Sequence, residues 1–316
     1  MNTDEAIALI ERSTAEELFG GGDGHRRYRT LAKLVHPDAA GPRGTRAFAR
    51  LSELWRDRSV IRTARGAYST DVLDHRGDLA NLYRIPEGHL KLVRDPSCND
   101  LMAREAAALR RMAEHGDPRY LPYVPRLVET FRHRSESGQT RRANVIATSA
   151  SRLHSLQEVR RKRPDGLDPR DAAWMWRRLL VALGLAHRTG VVHGAILAQH
   201  VLIEPDEHGV VLVDWCYSAS DPSQRIAAIV PGHRDDYPPE VLSRGTPGPC
   251  TDIHMAAGVM AGLMGERAPK PLRRFADGCR LRSTRQRPDD AWKLLGEFDE
   301  LLHQLYGPRT FRPFTL

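Results

Sequence analysis

Lysine is almost missing from this chain. Only five of its 48 basic residues are lysine; with 40 acidic residues the formal net charge is +8. The arginines are scattered among abundant alanine, glycine and proline, a pattern that reads as codon bias as much as a binding surface. The dense cluster, Arg160-Arg161-Lys162-Arg163-Pro164, keeps a nucleic-acid-associated scaffold open as one reading. Cysteine is scarce as well. Cys98, Cys216, Cys250 and Cys279 stand far apart with no C-x-x-C pair, which argues against a zinc site and for reduced thiols in a cytoplasmic protein. No run of about 18 apolar residues occurs, so neither a transmembrane helix nor a membrane partner is expected. The opening residues, MNTDEAIALIERSTAEELF, are acidic and amphipathic, unlike a secretory signal. At 316 residues the chain is long enough for more than one domain.

Residues 25–55 read as two helices around a loop. Tyr28, Leu31, Ala32 and Val35 recur at i, i+3, i+4 and i+7 and make one apolar stripe. Arg26, Arg29 and Lys33 lie on a different, basic face. Pro37 ends the first helix, since it has no N–H to donate and holds His36 out of the α region. The loop AAGPRG follows, and then Phe48, Leu51, Leu54 and Trp55 make a second stripe. His36-Pro37-Asp38, set between a basic helix and a helix of this pattern, resembles the J-domain of DnaJ-type co-chaperones. The resemblance implies an antiparallel helical hairpin over residues 1–60, with an earlier helix near residues 3–19. It also implies a heat-shock ATPase chaperone as partner, engaged through His36, Pro37, Asp38, Arg26, Arg29 and Lys33. One departure is the segment ELFGGGDG before the basic helix, which is shorter than in the family and glycine-rich.

From residue 66 the pattern changes to short strands, then long helices. LANLYRI and HLKLVRD read as neighbouring strands, with Lys91 on the face opposite Leu90 and Leu92. NDLMAREAAALRRMAEHG reads as a helix carrying Glu105 and ended by Gly116. NVIATSA leads into SLQEV and the long helix DAAWMWRRLLVALGLAHRTG. Then come His193, Asp214 in VVLVDW, Tyr237-Pro238-Pro239-Glu240, Asp252 in TDIHMAAGVMAG, and Arg287-Pro288 before a last helix. In order and spacing these landmarks resemble a protein kinase. The implied fold is α+β and bilobal, with a β-rich N-lobe at 66–148 and a helical C-lobe at 149–306. A tail, 307–316, follows. The resemblance further implies a Lys91–Glu105 pair on nucleotide phosphates, Asp252 bracing the loop at His193, and Arg287 paired with Glu240.

The chemistry departs from that frame. Where a kinase loop reads H-R-D-L-K-x-x-N, this chain has His193, Gly194, Ala195, Ile196, Leu197 and, at the asparagine position, His200. Ala195 cannot accept a hydroxyl proton, Leu197 cannot neutralise a transferring phosphoryl group, and His200 is a poor match for Mg²⁺, which prefers hard oxygen donors. Loss of a general base alone costs about 10²–10⁴ in rate. RGDLANLY offers only Gly77 to a phosphate-covering loop. The expectation is a pseudokinase without catalytic residues, with ATP and Mg²⁺ still held weakly through Lys91, Glu105, Gly77 and Asp214. For Asp214 two readings stand, a metal ligand and a satisfied turn aspartate. Asp235 and Asp236 could replace the base only if their segment folded inward. The leading function is an adaptor that couples the chaperone to a protein client; the alternatives are an atypical ATP-dependent phosphotransferase and the nucleic-acid scaffold.

Overall fold

The computed structural model describes residues 1–19, 23–134, 138–150 and 152–316. Helix α1 (Thr3–Arg12) starts from Asn2 in a capping box with Glu5. A second box starts α2 (Ala15–Phe19). The Thr14 hydroxyl accepts from the Glu17 N–H at 3.3 Å, and the Glu17 carboxylate accepts from the Thr14 N–H at 2.7 Å. The one helix expected near residues 3–19 is therefore two, because Ser13-Thr14 satisfies a new set of N-terminal donors. Part of the glycine-rich segment, 20–22, lies outside the described residues.

Helix α3 (Gly24–Val35) and helix α4 (Pro37–Asp57) meet at His36, which ends one and begins the other. The expected loop at AAGPRG is compressed into α4 as a bend at Gly41, whose φ of +63° favours glycine, just before Pro42. Ala6, Ile10, Leu18, Leu31, Val35, Ala47, Leu51 and Leu54 form a core cluster belonging to α1–α4 alone.

Strands β1 (Val60–Arg62) and β2 (Ala67–Ser69) form a hairpin. Its Ile61 and Tyr68 pack with Ile85, Leu90 and Val145, so the β-rich part begins at residue 60 rather than 66. The main sheet holds β3 (Leu73–Arg76), β4 (Ala80–Ile85), β5 (Gly88–Val93), β6 (Arg126–Arg134) and β7 (Thr140–Ala147). All neighbours are antiparallel, in the order β3-β4-β5-β7-β6. Because side chains alternate along a strand, Leu90 and Leu92 of β5 join the hairpin's cluster while Lys91 turns to the other face. Helix α5 (Asn99–His115) covers that face, burying Leu101, Met102, Glu105, Leu109 and Met112.

The remainder is mainly helical. Strand β8 (His154–Ser155) pairs with β9 (Val201–Glu204), and β9 with β10 (Gly209–Leu212). Around them run α6 (Leu156–Lys162), α7 (Pro169–Arg188), α8 (Pro239–Leu242), α9 (Pro249–Met264), α10 (Lys270–Cys279) and α11 (Ala291–Tyr306). Helix α7 is the central one, apolar enough to bury Trp176, Leu179, Leu180 and Leu183 among neighbours. The tail docks on this part: Phe314 is buried against Trp174, Arg312 pairs with Asp168 at 3.4 Å, and Arg163 donates to the Thr315 carbonyl at 3.1 Å. Among the described residues, no helix is long and apolar enough to cross a membrane.

Candidate functional site

Lys91 enters between sheet and helix as the alternation of β5 requires, and there it meets three acceptors. Its Nζ lies 2.9 Å from Glu105 Oε1 and 3.2 Å from Cys216 Sγ, and it also bonds the Asp214 carboxylate. Glu105 is fixed from its other side by Asn144, which donates to Oε2 at 2.8 Å and to the Met102 carbonyl at 3.0 Å. Burial alone would lower the Lys91 pKa, but the Asp214 carboxylate and the other acceptors outweigh it and hold the ammonium charged. Burial pushes the Cys216 thiol well up, so it stays neutral. Glu105, Asp214 and Cys216 lie close enough together to resemble a metal-ligand set. Their shared occupant is the lysine ammonium.

Asp214 has a second cation. His200 Nε2 stands 3.1 Å from its other oxygen, and His200 Nδ1 donates to the Ala195 carbonyl at 2.8 Å. Burial opposes charge on His200, yet the adjacent carboxylate raises its pKa above the usual value. Asp214 in turn is held well below the ordinary carboxylate range: burial works the other way, and Lys91 and His200 overcome it. Two cations and two carboxylates cancel inside the cluster. Asp214 also sits at φ +68°, a left-handed turn that aspartate tolerates better than most residues. The donor set therefore does not fit Mg²⁺. A divalent ion at Asp214 would have to displace both Lys91 and His200, and the ammonium and imidazole beside it are not the hard oxygen donors that Mg²⁺ takes. Of the two readings of Asp214, the geometry is that of a satisfied turn aspartate.

The loop around His193 is built for packing. Asp252, on the first turn of α9, accepts from the His193 and Gly194 N–H groups, each at 2.8 Å, and pairs with His187 at 3.0 Å. His193 donates Nε2–H to the Val213 carbonyl at 2.9 Å and accepts the Ala195 N–H on Nδ1, so it is neutral. Burial pushes its pKa down to about 4. Gly194 has φ +76°, and a Cβ there would meet the Ile226 side chain at 2.2 Å. Ala195 and Leu197, at the positions of the base and the cation, are buried in the core.

Gly77 opens the connection between β3 and β4. Its N–H bonds the Ala80 carbonyl at 2.9 Å, making a tight four-residue turn between β3 and β4. Asp78 in that turn accepts the Tyr217 hydroxyl, which ties the turn down to the segment after Asp214. Asp235 and Asp236 are exposed and outside the cluster, Asp236 lying 2.8 Å from His233. Arg287 reaches Glu240 with both arms, at 2.7 and 3.1 Å, while Thr251 donates to the same carboxylate at 3.0 Å. The basic cluster at 160–164 is partly spent, with Lys162 on Glu158 at 3.4 Å and Arg163 on the tail.

In the N-terminal helices, His36 and Asp38 are exposed at the junction of α3 and α4, and Pro37 is half-buried. His36 Nδ1 accepts the Asp38 N–H at 3.3 Å, and its ring meets Phe48 edge-on at 5.4 Å. Arg26, Arg29 and Lys33 are exposed along α3. Four residues escaped the sequence reading: Asn144, Tyr217, Asp78 and His187. Each acts through long-range side-chain hydrogen bonds, which leave no periodicity; only nearness in sequence to Gly77 and Asp214 could have flagged Asp78 and Tyr217.

No protein-family model matches the chain. Among solved structures, one described as "Structure of vaccinia related kinase 3" is similar with a TM-score of 0.58 and 18% sequence identity. The match covers 78% of this chain and 90% of that one. At that identity the likeness speaks for fold and leaves activity open. What this chain shares with it is a protein-kinase-like fold, a β-sheet lobe joined to a helical one.

Proposed function

We propose that the chain is a co-chaperone adaptor. Its N-terminal helices act as a J-domain-like module on a heat-shock ATPase chaperone, and its kinase-like region, a pseudokinase, holds a protein partner without transferring phosphate. The observation that carries the first half is the exposed His36 and Asp38 at the turn that ends α3, the helix whose outer row is Arg26, Arg29 and Lys33, and begins α4. None of these three cations has a carboxylate within ion-pair distance among the described residues. An unpaired row of this kind steers an acidic surface into contact and speeds encounter. For the second half, Ala195 leaves no base, and the cations of the cleft neutralise its own carboxylates.

The test is the ATPase rate of a purified bacterial-type heat-shock chaperone with and without the full chain. Wild-type protein raises the rate severalfold. His36→Gln abolishes the stimulation at an unchanged melting temperature. A wild-type chain that leaves the rate of every cognate chaperone unchanged overturns the reading.

A further inference from the structure

Arg132 and Arg142 stand directly opposite each other on the antiparallel pair β6–β7, and so project from the same face of the sheet. That face also carries Asn144, whose side chain reaches α5, so the two guanidiniums lie on the side that α5 covers. Like charges placed opposite each other in a ladder are destabilising. A third cation joins them: burial lowers the Arg142 pKa, and the charges of Arg132 and of Arg110 on α5 lower it further. Among the described residues none of the three has a carboxylate within ion-pair distance. Arg142 donates Nη1–H to the Thr130 hydroxyl at 3.3 Å, but its Nε is buried without any hydrogen-bond partner. A sunken guanidinium N–H without a partner, beside two exposed arginines, is a point of uncompensated positive charge.

We propose that Arg110, Arg132 and Arg142 form a binding site for a phosphorylated side chain of a protein partner. A phosphomonoester brings close to two negative charges and three acceptor oxygens, which matches three mutually repelling guanidiniums better than a single carboxylate does. A nucleic-acid strand is the poorer match, because it needs a continuous basic track. The other dense cluster, at 160–164, sits on α6 and is tied to Glu158 and the tail. The site is also wired to the cleft. Asn99, at the start of α5, grips β7 on both sides, donating to the Thr140 carbonyl at 2.8 Å and accepting the Arg142 N–H at 2.6 Å. Two residues further along β7, Asn144 holds Glu105. Filling the site braces β7 against α5, the helix that carries the Lys91–Glu105 pair. This assignment stands on the sheet and α5 and is independent of chaperone coupling.

The probes are inorganic phosphate and a fluorescent alanine pentapeptide with a central phosphoserine, titrated into the full chain by melting temperature and anisotropy. The phosphopeptide binds and its unphosphorylated counterpart does not. Arg132→Gln, an exposed change, weakens binding about tenfold, the effect of losing one charge-assisted hydrogen bond. Arg142→Gln abolishes binding yet does not lower the melting temperature of the free protein, since it removes a repelled, half-buried charge. Arg160→Gln leaves binding intact. Hydrogen exchange in α5 slows when the phosphopeptide is bound. Silence from both phosphate probes, equal binding of the two peptides, or loss in Arg160→Gln but not in Arg132→Gln overturns the proposal. So does a 12-nucleotide single strand that outcompetes the phosphopeptide at these arginines.

Discussion

Lys91 has one ammonium and three acceptors around it, and that ratio decides what the residue is for. A lysine kept for a ligand can be removed at modest cost to the fold; one that neutralises two buried carboxylates cannot. Lys91→Met leaves Glu105 and Asp214 facing each other with one cation fewer, and breaking a buried pair this way costs about 3–5 kcal/mol. Chemical denaturation of the variant reads that loss directly, and a loss below about 1 kcal/mol contradicts the structural role. His200 gives a second residue-scale expectation, through pH. Its folded pKa lies above the unfolded value near 6.5, so its stabilising contribution is complete below pH 6.5 and fades as pH rises through the raised pKa. The stability difference between wild type and His200→Gln is therefore largest near pH 6 and shrinks towards pH 9. An equal difference at both ends removes the charge from the account. His193 runs the other way: pushed down to about 4, it disfavours the folded state as pH falls from 6.5 towards 4. Both members of the comparison carry it, so it cancels.

Elements were legible in the sequence where periodicity or a cap encodes them. The stripes of α3 and α4, the alternation of β5 around Lys91 and the long apolar α7 follow from residue spacing, and the structure has them where the spacing put them. Two boundaries were not legible. The break between α1 and α2 hangs on the Thr14–Glu17 box inside an otherwise amphipathic run, and the compression at Gly41 depends on one left-handed residue. The β1–β2 hairpin was missed because three-residue strands leave no pattern to read. The candidate site divides the same way. The Lys91–Glu105 and Glu240–Arg287 partners could be named from order along the chain, whereas the capture of Asp214 by His200 needed the loop geometry. At this scale the Glu240–Arg287 pair fastens α8 to the segment before α11. The Arg287 guanidinium is fully buried and held bidentately. Glu240→Ala strands that charge and costs about 3–5 kcal/mol of unfolding free energy. A melting temperature unchanged in this variant contradicts the fastening role.

Taken whole, the chain is a kinase-like frame in which the protein's own cations stand where a metal and nucleotide phosphates would be expected, preceded by helices with a separate core. The Asp78–Tyr217 bond adds closure, since it anchors the β3–β4 turn over the cleft. The weak metal–nucleotide binding expected from sequence is opposed at one point of this arrangement, Asp214, whose two oxygens already face Lys91 and His200. The deciding measurement is the melting temperature of the full chain with and without millimolar ATP and Mg²⁺. A ligand at 100 times its dissociation constant adds about 2.7 kcal/mol to stability, a rise of several degrees in a domain-sized fold. The account predicts no rise. A rise of several degrees that needs Mg²⁺ and disappears in Asp214→Ala would contradict it.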